Sequence, residues 1–147
     1  MELVISEQEM ERIVRHCQQA YPHEGCGLLL GQGENGHKVV VDVLPTGNAR
    51  EEGARHNRYL IPPKEIYRGE MEAEARGLEV IGYFHSHPDH PARPSEFDRD
   101  HAWPWYSYLI VAVHGGQTVA RRSWQLREDR SAFDEETILP RQNERQN

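Results

Sequence analysis

The run "GYFHSHPDHPARPSEFD", residues 82–98, holds the side chains of this sequence best suited to chemistry. His85 and His87 lie two apart. On a β-strand, residues i and i+2 share a face, so this spacing presents two imidazoles side by side from one rigid element. Beyond a proline-rich reversal, Asp98 offers a carboxylate from the start of a following helix. Two histidines, one carboxylate and a water make the four-coordinate arrangement of a catalytic zinc site, whose water position stays open for reaction. The same residues have a plain structural reading. Nine histidines in 147 residues give about 0.5 His-x-His pairs by chance, and Ser-x-x-Asp is a helix-capping pattern. Fixed serine and aspartate offsets after the pair, at Ser95 and Asp98, lower that expectation to about 0.001. Capping and catalysis are compatible, because a serine at a helix start holds its hydroxyl toward the same mouth as the metal.

These residues need strands and helices to aim them. "SEQEMERIVRHCQQAYP" predicts a helix opened by a Ser6–Glu9 capping box, with Met10, Ile13, Val14, Cys17 and Tyr21 at helical spacing and Pro22 as its stop. Strands follow at "CGLLLG" and "HKVVVDVLP", joined by a "QGENG" turn. "TGNAREEGARHN" reads as loop and "RYLI" as a short strand. A second helix starts near Pro63, with an apolar stripe of Tyr67, Met71 and Ala75, and ends at Gly77. "LEVIGYFHSH" is the strand that carries the histidines. A short helix spans Ser95 to about Ala102, "YSYLIVAV" is a central strand, and "QTVARRSWQL" is another. This order gives an α/β fold with a mixed sheet. We expect one domain over residues 1–130 and a polar, partly disordered tail over 131–147.

Bulk properties narrow the function. The net charge of −7 argues against binding nucleic acid or an anionic membrane. "YLIVAV" and "GLLLG" are too short to span a bilayer, and the sequence shows no secretory segment. The expected compartment is the cytoplasm, with Cys17 and Cys26 reduced and buried. His90 and His101 read as solvated histidines, and "AWPWY", with Trp103 and Trp105, as a packed corner. Ser86 points away from the face shared by His85 and His87, which disfavours a Ser/His/Asp triad there.

"HSHPDHPARPSEFD" resembles the His-x-His, seven residues, Ser-x-x-Asp signature of the JAMM, or MPN-plus (Mov34), metalloprotease family. "YPHEGCGLLLG" is similar to that family's N-terminal segment, "LPTGNA" to its asparagine-containing loop, and "RYLIPPKEIYRGEMEAEARGLEVIGYFHSHP" to its helix and lead-in strand. The resemblance implies a single JAB/MPN domain, with a mixed curved β-sheet flanked by helices in a cytidine-deaminase-like α-β-α layering. It implies one zinc ion on His85, His87 and Asp98, with Glu24 as general base and Ser95 assisting at the oxyanion. On position alone Glu24 reads as an ordinary loop glutamate, and only the resemblance singles it out. Asn48 would lie where a substrate tail passes. The implied activity is hydrolysis of the peptide or isopeptide bond after the C-terminal Gly-Gly of a ubiquitin-like protein. The short chain is most similar to compact bacterial members that act on sulfur carriers of the ThiS/MoaD type. An extended tail of that kind suits a groove beside a sheet edge. The alternatives are a deconjugating isopeptidase that removes a ubiquitin-like modifier from lysines, and a non-catalytic interaction module. A homodimer is left open.

Overall fold

The computed structural model describes residues 1–50 and 59–142. Most of the expected loop after Asn48, Arg58 of the expected "RYLI" strand and the last five residues of the tail lie outside it. The chain runs β1 (Glu2–Ile5), α1 (Glu7–Ala20), β2 (Cys26–Glu34), β3 (His37–Thr46), α2 (Pro63–Ala75), β4 (Glu79–Pro88), α3 (Glu96–His101), β5 (Ser107–His114), β6 (Gln117–Leu126) and β7 (Phe133–Pro140). The strands order as β1-β3-β2-β4-β5-β6-β7, and β1 pairs with β7 to close the sheet into a barrel. β1 is parallel to β3 and β7, and β4 to β5, while the other pairs are antiparallel. The expected mixed sheet is therefore present, curved until it closes.

β2 shows how the helices are layered. Leu29 turns into the cluster that takes Met10, Ile13 and Cys17 of α1, while Leu28 and Leu30 turn the other way, toward Ala73 and Ile66 of α2. The two helices thus cover opposite faces of this strand. β5 is buried from Ser107 to Val113, as a central strand walled on both faces must be.

α1 forms as its periodicity predicts, and Ser6 Oγ accepts from Glu9 N at 3.2 Å. Only this half of the expected capping box is made. The Glu9 carboxylate turns outward to Arg12 instead, at 2.9 Å. α2 corrects its predicted stripe: Tyr67, Met71 and Ala75 are exposed, and the buried positions are Gly69 and Ala73. A Cβ on Gly69 would stand 3.0 Å from Leu28 Cδ1, so the small face, not the large apolar one, lets the helix close on β2. Gly77 ends this helix at φ +69°, as expected. Residues 59–62 are irregular where a short strand was expected.

The domain boundary at 130 also needs correction. Residues 133–140 are β7, bonded to β6 on one side and β1 on the other. β7 lacks apolar alternation because part of its inward face is charged. Glu136 is 1% exposed and accepts from Ser123 Oγ at 2.8 Å. Its other oxygen lies 3.7 Å from Lys38 Nζ of β3. Lys38 is fully buried, donates to Gln125 Oε1 at 2.9 Å, and sits 5.0 Å above the Trp105 ring. A buried ion pair thus joins β3 to β7 across the barrel.

Candidate metal centre

The site forms where β4, α3 and the segment between α1 and β2 meet. β4 places His85 and His87 on the face opposite α1, with Nε2 atoms 3.2 Å apart. The following loop is tied down at both of its middle residues. His87 Nδ1 donates to Pro91 O at 2.9 Å, and Trp124 Nε1 donates to Ala92 O at 3.0 Å. The chain then enters α3 through a reciprocal capping box, Asp98 N to Ser95 Oγ at 3.1 Å and Ser95 N to Asp98 Oδ2 at 2.9 Å. The box aims Asp98 Oδ2 at both imidazoles, 3.3 Å from His85 Nε2 and 3.1 Å from His87 Nε2.

Three donor atoms thus form a triangle with edges of 3.1–3.3 Å. A tetrahedral zinc with bonds of about 2.0–2.1 Å requires donor separations of about 3.3 Å. The His87 bond to Pro91 puts the proton on Nδ1 and leaves the Nε2 lone pair facing inward, the usual outer support of a metal-binding imidazole. Tyr59 stacks on the His85 ring, centroids 4.4 Å apart and planes 19° off parallel. The donor set fits a zinc ion.

Glu24 approaches from the other side. It is 3% exposed, and one carboxylate oxygen lies within 4.8 Å of ligand atoms of both His85 and His87. Its Oε1 is buried without a hydrogen-bond partner among the described residues. Burial, with Asp98 adding to it against the opposing pull of His87, pushes this carboxyl up to about 8. Asp98 goes the other way. Burial alone would raise it, but His85 and His87 outweigh that and hold it well below the usual carboxylate range. Burial lowers His85, whereas Asp98 overcomes the burial of His87 and raises it. In the metal-free site the two buried carboxyls thus differ in proton affinity, Asp98 held anionic by the imidazoles and Glu24 raised by burial.

Glu24, His87 and Ser95 share a cavity of about 520 Å³ with Pro88 and the 90–94 loop. On the far side of Asp98 a smaller aromatic cavity, about 200 Å³, is walled by Tyr59, Phe97, Trp103 and Tyr108. "AWPWY" therefore divides: Trp103 is 65% exposed at this cavity, and Trp105 packs into the barrel over Lys38. His90 and His101 line the two cavities, and neither joins the converging donors. Cys17 and Cys26 are free and buried, and burial raises their thiols to about 12 and about 11.

Asn48 directs its side-chain amide at backbone. Its Nδ2 donates to Glu24 O at 3.1 Å, and its Oδ1 accepts from Arg50 N and Leu60 N, each at 3.0 Å. Tyr59 escaped sequence reasoning because it belongs to a segment with no periodic pattern, and stacking on His85 leaves no trace in spacing. Ser86 does face away from the imidazoles, and there its Oγ accepts from Gly25 N at 2.8 Å.

Residues 6–127 match the family described as prokaryotic homologs of the JAB domain. A desampylase from Haloferax volcanii is 34% identical over 98 residues, covering 66% of this chain and 68% of its own. A probable TtuB-protein conjugate cleaving protease from Thermus thermophilus is 30% identical over 106 residues, covering 72% and 67%. A solution structure of a Desulfitobacterium hafniense protein superposes with a TM-score of 0.82 at 31% identity, covering 96% of this chain and 94% of that one.

Proposed function

Since this chain belongs to the family of prokaryotic homologs of the JAB domain, we propose that it is a zinc-dependent peptidase. Its substrate in this reading is the peptide or isopeptide bond that follows the C-terminal Gly-Gly of a small ubiquitin-like sulfur-carrier protein. The observation that carries the proposal is the triangle of His85, His87 and Asp98 beside the buried carboxyl of Glu24. When bound, zinc supplies a Lewis acid that acidifies water and polarises a carbonyl.

The chain's own residues supply the rest. Glu24 takes the proton of the attacking water and returns it to the leaving nitrogen, a task supported by its buried position beside both imidazoles. Ser95 Oγ accepts from Asp98 N, which leaves its hydroxyl proton to donate toward the carbonyl oxygen as charge grows there. Asp98 and the two imidazoles hold the metal, and Tyr59 shields His85 from solvent. The ring closes through short pairings, β1 with His37–Val39 of β3 and β7 with Ser123–Leu126 of β6, which among the described residues leaves the rest of β3 and β6 paired on one side only. An extended tail is held at the rim, beside the cavity of Glu24 and Ser95.

The name of the Thermus relative, a probable TtuB-protein conjugate cleaving protease, favours the isopeptide form of the reaction, which in this reading releases a modifier from lysine side chains. The intact set of Glu24, His85, His87, Ser95 and Asp98 speaks against a non-catalytic module. The test combines metal analysis with Glu24→Gln. We expect one zinc per chain in both proteins, and cleavage slowed by about 10²- to 10⁴-fold in the variant, the range for loss of a general base. A wild type without zinc, or a variant as fast as wild type, refutes the mechanism.

A further inference from the structure

Glu24 lies on neither a helix nor a strand. Residues 21–25 connect α1 to β2 in an irregular path. The ladder to β4 reaches Gly25 O, which accepts from Ser86 N at 3.0 Å, but among the described residues no backbone bond fixes the preceding Glu24–Gly25 peptide plane, which carries the base. The structure assigns that task to two side chains. We propose that Asn48 and Ser86 are positioning residues for Glu24, gripping the Glu24–Gly25 peptide plane from its two opposite edges. On one edge Asn48 Nδ2 donates to the carbonyl oxygen of Glu24 at 3.1 Å. On the other, Ser86 Oγ accepts from the N–H of Gly25 at 2.8 Å. Both groups belong to the same peptide unit, so the two bonds fix its rotation and hence the direction in which the Glu24 side chain leaves the backbone.

A third wall closes the arrangement. A Cβ at Gly25 would meet Cys17 Cα at 3.0 Å and Ala20 Cβ at 3.3 Å, so Gly25 is packed against α1 and has no room to recede on that side. The Asn48 amide is itself held in one orientation, because its Oδ1 accepts two backbone N–H groups, from Arg50 and Leu60. Ala49 N also donates to Leu60 O at 2.8 Å, and Leu60 follows Tyr59, whose ring lies on His85. One amide thus links the backbone of the base to the segment that backs a metal-binding histidine. Ser86 comes from β4 between His85 and His87, so its grip references Glu24 to the strand that bears both imidazoles. The middle residue of His-Ser-His is then part of the mechanism without touching substrate.

The inference rests on Glu24 as general base, and the test separates the two ideas. Asn48→Asp retains an acceptor for Arg50 and Leu60 but loses the N–H that reaches Glu24 O. Ser86→Ala removes the opposite contact. With a linear fusion of a ubiquitin-like domain ending in Gly-Gly as probe, each variant is expected to lower kcat by about 10- to 100-fold, the effect of a misplaced catalytic group. KM should stay within about twofold and zinc content should be unchanged. In the metal-free protein, exchange of the Gly25 amide proton should quicken by about tenfold or more in Asn48→Asp, a readout independent of turnover. In a Glu24→Gln background neither substitution should slow cleavage further. Additive losses in that background, a raised KM with unchanged kcat, or undiminished protection of Gly25 overturns the clamp and leaves the base reading intact. A Glu24→Gln protein as fast as wild type refutes the base reading, and the clamp's catalytic role with it.

Discussion

Replacing Lys38 by Met breaks the buried pair that holds the last strand in place, together with the hydrogen bond from Lys38 to Gln125 Oε1. Lys38 and Glu136 side chains are both 0% exposed, and their charged atoms are 3.7 Å apart. Met fills nearly the same volume but leaves Glu136 with Ser123 as its hydrogen-bond donor and no cation. Breaking one side of a buried pair costs about 3–5 kcal/mol, because the remaining charge is stranded in a poor solvent. At about 2–4 °C per kcal/mol for a chain of this size, the melting temperature should fall by roughly 6–20 °C. Lys38→Met/Glu136→Leu removes both charges and should recover part of that loss, the remainder reflecting Gln125 Oε1 and Ser123 Oγ left without their partners. The pH dependence adds a second check. Burial lowers the Lys38 amine below its ordinary 10.5. Between the lowered folded value and 10.5 the unfolded chain binds the extra proton, so this group's contribution to stability rises with pH through that window. Lys38→Met should abolish that rise. Urea unfolding at several pH values measures all three effects. A single variant as stable as wild type, or a double variant no better than the single one, refutes the argument that the pair is coupled and dry.

Glu24 gives the opposite slope in chelator-treated protein. Its folded carboxyl sits at about 8 against an ordinary 4.5, so its contribution to stability is complete below about 4.5 and is lost as pH rises through about 8. Glu24→Gln should therefore unfold at higher urea than wild type at pH 8, by roughly 2–4 kcal/mol, and lose that advantage near pH 4. Zinc at a hundred times its dissociation constant should stabilise the wild type by about 2.7 kcal/mol, and Asp98→Asn should remove most of that gain in a thermal melt. No zinc-dependent shift in the wild type would count against the site. Gly82→Ala should cost about 1–3 kcal/mol or more, because its Cβ would lie 2.2 Å from Ser107 O where β4 meets β5. An unchanged urea midpoint would show that the two strands can part at no cost.

The sequence was most informative where one side chain reports its own role. Amphipathic α1, the His-x-His strand and the Ser-x-x-Asp cap are local patterns, and all three form. It was silent where the partner is distant. β7 shows no apolar alternation because its buried acid is matched by a lysine from β3. The α2 stripe misled because a close helix–strand contact selects small residues, Gly69 and Ala73, and leaves Tyr67 and Met71 outside. Glu24 has no local signature either. Its burial and its place beside the imidazoles arise from the return of β2 alongside β4, where Cys26 pairs with His85.

Ring closure also sets an order of events during synthesis. β1 emerges first and β7 last, and β1 has β7 as its partner on one side. At about 5–20 residues per second, the stretch from Asp98 to Pro140 takes the ribosome roughly 2–8 seconds. Throughout that interval the residues of the candidate metal site already exist, while the strand edge of β1 that β7 will cover stays open. A chain halted before Phe133 would leave β1 and β6 as unpaired edges, the surfaces by which nascent strands stick to one another. The charged residues of β7 are thus a late-arriving seal, and truncations that spare every residue of the site should still be recovered as aggregates.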